Sequence, residues 1–256
     1  MLVDSHCHLE QCQDPLSCLE RAAQAQVTRV VGVSEDEASG RQLLALRSQA
    51  PGLLVGLGFH PMKSVSTPQP EIDACLAFVA ENLAQADLLG EVGLDFKYAK
   101  ELEQQNHQRL LLERQLELAD RARKPINLHS RWAQRQTLEV AVAFTRATGL
   151  GAQLHWFTQS TKLIRIANRE GVYISAGPSL LYSEEARRVA GAIDRHLMLL
   201  ETDSPVSFGE RPAEPAWVRQ VAECLAGIWD CSWQEVAHQT TENFDRYLTA
   251  GAKPAE

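Results

Sequence analysis

Two histidines separated by one cysteine stand near the start of the chain, in DSHCHLE, residues 4–10. On an extended strand side chains two apart share a face, so His6 and His8 can converge on one point. Paired imidazoles in that register suit metal ligation, although two surface histidines in a loop would read identically. Four more residues of compatible chemistry follow: Glu91 in LLGEVGLD, His129 in PINLHS, His155 in AQLHWF and Asp203 in LLETD. A donor set of imidazole and carboxylate with no thiolate suits Zn, Mn, Mg or Ni. Six donors exceed the three of an open mononuclear zinc site, which points to two divalent metal ions sharing a carboxylate. Glu91 is the natural bridge, because it comes from the middle of the strand order. Two such cations orient and acidify a water and stabilise the departing oxygen, so the implied reaction is hydrolysis. Asp203 is the general-base candidate, one oxygen on metal and the other facing the attacking water.

Further residues fall close to this set. His60 in GLGFHP and Arg131 in NLHSRW are candidates to meet an anionic oxygen of the substrate, Arg131 by a bidentate fork or else in a surface salt bridge. Asp95, in EVGLD, is a candidate to contact substrate or to orient a ligand. Lys97 reads as a solvated loop charge. Trp156 and Phe157 suit loop packing as well as they suit a platform for stacking a base.

These residues must be positioned by elements, and the chain alternates short apolar β-branched runs with longer stretches of helical period. The candidate strands are residues 2–6, 28–34, 53–60, 88–95, 125–130, 152–157, 172–177 and 197–203. Helical patterns such as LSCLERAAQAQ, EIDACLAFVAENLAQ and NHQRLLLERQLELADRARK lie between them. Strands that read as nearly continuous apolar runs, each followed by a helix, imply a parallel sheet covered on its outer face. About eight such units in a chain of this length predict an α/β fold, a single (β/α)8 TIM barrel domain over residues 1–256, with a doubly wound open sheet as the alternative. All six metal-ligand candidates then fall at or near the C-terminal ends of strands, the face where barrel enzymes carry their chemistry. The PSLLY and SFGERPAEP segments read as barrel loops.

With 256 residues, 45% apolar and 23% charged, the chain has the composition of an ordinary soluble globular protein. No apolar run reaches the roughly 18 residues of a membrane span, and the first residues run straight into a strand with no room for a signal peptide, so no membrane partner and a cytoplasmic location are expected. The six cysteines form no CxxC and read as free thiols. A net charge of −8 gives no broad footprint for gripping duplex nucleic acid. Bound cations would still supply local positive charge for a phosphate substrate, so a nucleic acid is expected to be taken at its end or in a pocket.

The ordered motifs resemble the TatD family of metal-dependent deoxyribonucleases, within the amidohydrolase-like barrel superfamily. DSHCHL is similar to that family's opening HxH, GFHP to its GxHP, GEVGLDF to its E-[VI]-G-L-D-[YF], NLHSR to its strand-five histidine, LHWF to its H-x-F and LLETDSP to its E-[ST]-D-x-P. The closing TTEN of EVAHQTTENFDRYL resembles its TT-x-N signature, so the likeness spans almost the whole chain. The resemblance implies that His6, His8, Glu91, His129, His155 and Asp203 bind two divalent metals, that His60 assists at the scissile phosphate, and that DNA is cleaved, often 3′ to 5′ from a single strand or 3′ end. Two positions depart from the pattern: Trp156 replaces a residue that is often small, and RPAEP puts Ala213 where RNEP has asparagine. The pattern places both on the substrate rim. The superfamily also permits hydrolysis of a small amide, ester or lactone, but many such enzymes bridge their metals with a strand-four lysine, and here that strand offers Glu91. A non-catalytic barrel would have lost at least one ligand, and none is missing.

Overall fold

The apolar runs form eight parallel strands in sequential order, β1 (Leu2–Cys7), β2 (Val27–Val33), β3 (Leu53–Leu57), β4 (Leu88–Asp95), β5 (Ile126–Arg131), β6 (Ala152–Leu154), β7 (Tyr173–Ala176) and β8 (Met198–Leu200). The computed structural model describes residues 1–157 and 160–251 of the chain. Helices α1 (Pro15–Gln24), α2 (Glu37–Arg47), α3 (Gln69–Asn82), α4 (Leu102–Ala122), α5 (Gln134–Thr148) and α6 (Thr161–Glu170) follow the first six strands in turn. After β7 come α7 (Ser179–Tyr182) and α8 (Glu184–Ala190). A small hairpin, β9 (Ser207–Phe208) with β10 (Arg211–Pro212), follows β8 and leads to α9 (Val218–Trp229) and α10 (Trp233–Thr249).

All six residues of β1 and all eight of β4 are buried, as a parallel sheet covered by helices demands. The barrel closes without a regular β8–β1 ladder. The chain just past β8 runs beside β1 instead, with Asp203 N–H donating to His6 O (2.9 Å) and His8 N–H to Ser204 O (2.7 Å). Asp4 completes the seam: its carboxylate accepts from Thr202 N–H (3.0 Å) and from the Thr202 hydroxyl (2.5 Å). Val3, Val31, Val33, Leu88, Tyr173 and Leu199, from β1, β2, β4, β7 and β8, meet Phe244 and Tyr247 of α10 in one buried cluster. Asn243 donates to Met198 O at the first residue of β8, and the Thr241 hydroxyl donates to Met1 O. Helix α10 therefore plugs the N-terminal mouth, and the TTEN segment belongs to that plug, leaving the opposite mouth open for chemistry.

The expected eight-unit barrel is present, with differences at the strand ends. β3 stops at Leu57, β6 at Leu154 and β8 at Leu200, so His60, His155 and Asp203 sit in the loops just beyond their strands and not on them. Those loop backbones bond to side chains and to neighbouring strands, which ends the ladder early. PSLLY, expected as loop, carries the single turn of α7, and SFGERPAEP carries the β9–β10 hairpin.

Candidate active site

At the open mouth, Glu91 lies inside β4 with 1% of its surface exposed and its two oxygens turned toward different neighbours. Oε2 lies 3.6 Å from His6 Nε2 and 3.2 Å from His8 Nε2, and the same two nitrogens are 3.4 and 3.6 Å from Asp203 Oδ1. Oε1 lies 2.8 Å from both His129 Nδ1 and His155 Nε2, and 3.3 Å from His60 Nε2. The rings of His6 and His155 stack at 3.9 Å, 3° from parallel, so the two groups of donors abut. All six ligand candidates and His60 are thus brought to one place from strands and loops spread over the whole chain.

The local chain explains how. His6 and His8 alternate along and just past β1. Glu91 and Asp95 flank Gly93, whose φ of +150° and closeness to β5 leave no room for a Cβ, which would stand 2.1 Å from His129 O. That close approach sets His129 between the two carboxylates. Asp203 (φ 51°) and Trp156 (φ 41°) both occupy the left-handed region without being glycine, a strain tolerated where surrounding contacts over-determine the backbone.

Hydrogen bonds fix which nitrogen each imidazole turns inward. His6 Nδ1 meets Asn127 Oδ1 at 2.9 Å, and Asn127 is itself held by donating to Ser5 O, so His6 Nε2 keeps a lone pair for the centre. His129 Nε2 meets Asp95 Oδ2 at 3.2 Å, leaving Nδ1 toward Glu91. Asp95 Oδ1 is taken up by Lys97 and Tyr98 N–H. Both Asp95 oxygens are therefore used within the protein, and the residue is 1% exposed.

Charge in the cluster is tightly balanced. Burial pulls His6, His8 and His129 down, yet Glu91 with Asp203 lifts His6 to about 9 and His8 to about 10, and Asp95 with Glu91 lifts His129 to about 9. His155, buried and beside His6, drops to about 4. Burial works against ionising Glu91 and Asp203, but the surrounding imidazoles hold both below the ordinary carboxylate range. Two buried atoms that face the centre, His6 Nε2 and Glu91 Oε2, make no hydrogen bond among the described residues. Cations about 2.0 to 2.2 Å from tetrahedral donors would space those donors by about 3.3 to 3.6 Å, the range found around His6, His8, Glu91 and Asp203. The donor types, spacing and unpaired atoms fit divalent metal. Triads able to hold an ion include His6, His8, Asp203 and His6, Glu91, His155, with a third formed by His60, Glu91 and His129.

Arg131 ends β5 with its guanidinium exposed near the Tyr98 ring, 6.0 Å away, and makes no ion pair among the described residues. Lys97 also lies near Tyr98 (5.6 Å). Phe157 is fully packed, whereas Trp156 is half-buried. Ala213 is buried at the base of the hairpin with its N–H on Val206 O.

Three supporting residues escaped the sequence reading. Asp4 and Asn127 each lie two positions before a histidine of the cluster, and period-two spacing could have found them. Glu201 accepts from Trp156 N–H (2.7 Å) and from the Ser175 hydroxyl (2.6 Å), and burial lifts it to about 8. Its partners come from β7 and the loop after β6, a juxtaposition that no local pattern carries.

Comparison with known proteins gives one consistent picture. The family described as TatD related DNase matches residues 3–249. A human protein named deoxyribonuclease TATDN3 is 31% identical over 256 residues, covering 94% of this chain and 92% of its own. A Bacillus subtilis protein named uncharacterized metal-dependent hydrolase YabD is 27% identical, covering 96% and 98%. The crystal structure of YJJV, a TatD homolog from Escherichia coli K12, superposes with a TM-score of 0.85 at 26% identity, covering 98% of each chain.

Proposed function

The chain belongs to the TatD related DNase family, and from that premise we propose that it is a metal-dependent hydrolase cleaving DNA phosphodiester bonds, built as one catalytic domain. The observation that carries the reading is Glu91, whose two oxygens face two separate donor groups, the arrangement a carboxylate needs to join a pair of divalent cations. His6, His8 and Asp203 would complete one position and His129 and His155 the other. Bound there, Mg, Mn, Zn or Ni would acidify a water and neutralise charge developing on the phosphate.

The protein's own groups supply the rest. Asp203 Oδ1 faces the two N-terminal histidines, while Oδ2 has no hydrogen-bond partner among the described residues and can take the proton of the attacking water. His60 Nδ1 accepts from Met62 N–H (3.1 Å), which leaves the hydrogen on Nε2, 3.3 Å from Glu91 Oε1 and placed to donate to a phosphate oxygen brought beside that carboxylate. Arg131 stands further out, free to meet a phosphate. Asp95 acts through His129 and is a positioning residue; its two engaged oxygens favour orientation over substrate contact. A net charge of −8 suits a single strand or a 3′ end delivered to the mouth better than a gripped duplex. No described helix is long and apolar enough to cross a membrane, and six unpaired cysteines suit the reducing cytoplasm.

The test is elemental analysis of the purified protein together with hydrolysis of a single-stranded oligonucleotide and of a panel of chromogenic esters and lactones, each with Mg, Mn and Zn. Oligonucleotide cleavage that disappears in His6→Ala and Asp203→Ala supports the assignment. Turnover of an ester or lactone without oligonucleotide cleavage would overturn it.

A further inference from the structure

Three aromatic rings lead outward from the cluster on loops that follow β6, β7 and β8. Trp156 comes directly after His155, and its left-handed backbone is held by Glu201, which accepts its N–H at 2.7 Å. Its indole lies 5.6 Å from the ring of Phe208 on the β9–β10 hairpin. Phe208 in turn stacks on Tyr182 of α7, with centroids 6.2 Å apart and planes 13° from parallel. Tyr182 is 63% exposed. A packing role alone would bury the outermost ring, and here the row opens to solvent. On the β4 and β5 side of the same mouth stand Lys97 and Arg131, and Arg211 sits on the hairpin itself; none makes an ion pair among the described residues.

We propose that Trp156, Phe208 and Tyr182 form a stacking platform for successive unpaired nucleobases of a single DNA strand entering the site, while Lys97 and Arg131 face its phosphates. The proposal rests on the nuclease reading above and deepens it. Every base has a π-face, so such a row binds without regard to sequence, whereas in a duplex those faces are already occupied by neighbouring pairs. The row is continuous with the cluster because Trp156 adjoins His155, and a strand lying along it would bring its backbone to the cations. Its occupant is therefore a flat, uncharged ring carried on an anionic chain.

The experiment measures binding of the full chain, with Mg present, to an oligothymidylate of phosphorothioate linkages and to a base-free oligomer of the same length and linkages. The wild-type protein should favour the base-bearing oligomer. Tyr182→Ala and Phe208→Ala should each reduce that preference by about tenfold, the scale of losing one stacked base, and Tyr182→Phe should retain it. Equal binding of the two oligomers by the wild-type protein, or an unaltered preference in both alanine variants, overturns the platform. Hydrolysis of a small aryl phosphate diester, measured in parallel, separates the two claims. Its absence with every metal counts against the nuclease reading, while a base preference lost with the rings still upholds the platform.

Discussion

Replacing Asp95 with Asn changes one atom at a point where that atom decides a tautomer. Asp95 Oδ2 now receives the hydrogen of His129 Nε2 at 3.2 Å, which keeps the lone pair of His129 on Nδ1, toward Glu91 Oε1. In the variant, the remaining carbonyl oxygen can still accept from Lys97 and Tyr98 N–H, so the loop after β4 is retained. The new amide N–H₂ meets His129 as a donor and favours the tautomer with its hydrogen on Nδ1, the nitrogen that should bind metal. A hydrogen bond to a charged group contributes about 1.5 to 3 kcal/mol. A separation of 3.2 Å lies at the long end of the normal range, so the lower figure applies, corresponding to about tenfold in affinity. That agrees with the roughly 10- to 100-fold usually lost when the partner of a metal-bound histidine is changed. The assay is calorimetric titration of metal-stripped protein with Mn. Two binding events are expected in the wild-type protein; in the variant the event assigned to Glu91, His129 and His155 should weaken about tenfold while that of His6, His8 and Asp203 stays put. Equal weakening of both events, or of neither, would refute the reasoning.

Asp203→Asn should lower kcat by about 10²- to 10⁴-fold with a smaller change in KM, measured on the oligonucleotide, because it removes the proton acceptor. Gly93→Ala should destabilise the fold by several kcal/mol, about 3 or more, in urea melts, since its Cβ would meet backbone that cannot move aside. A divalent ion at about 100 times its Kd should stabilise the protein by about 2.7 kcal/mol, or roughly 5 to 10 °C in Tm, and Glu91→Gln should lose most of that gain in the same scan. Asp36 caps α2 and pairs with Lys63; burial opposes its charge, but Lys63 and Ser39 hold its pKa below the usual 3.8. A depressed acid stabilises above its unfolded pKa and loses that contribution as pH falls through the folded one. Asp36→Asn should therefore cost less than about 1 kcal/mol near pH 7, and that cost should shrink as pH falls below 3.8 toward the lower folded value, read from urea midpoints across pH.

Much of the architecture was legible because it is written in local pattern. Eight runs of buried apolar residues alternating with helical segments allow few folds other than a parallel barrel, and each of the eight barrel strands overlaps a run read from the sequence. The chemistry of the site was legible for a similar reason: imidazoles and carboxylates recur where the strands end. The misjudged ends of β3, β6 and β8 fall where side-chain and cross-strand bonds replace the ladder, and the burial of Ala213 was not legible because it depends on the hairpin folding back.

By itself the sequence determined the period, the number of strands and the kinds of donor, since these follow from the polarity and spacing of neighbours in the chain. Only the tertiary structure decided that the two oxygens of Glu91 face different donor groups, that Asn127 and Asp95 fix the tautomers of His6 and His129, and that Glu201 aims Trp156 toward Phe208. Those are contacts between segments far apart in the chain, from 34 residues for Asp95 with His129 to 121 for Asn127 with His6, and they exist only because closing the barrel brings distant strand ends to one rim.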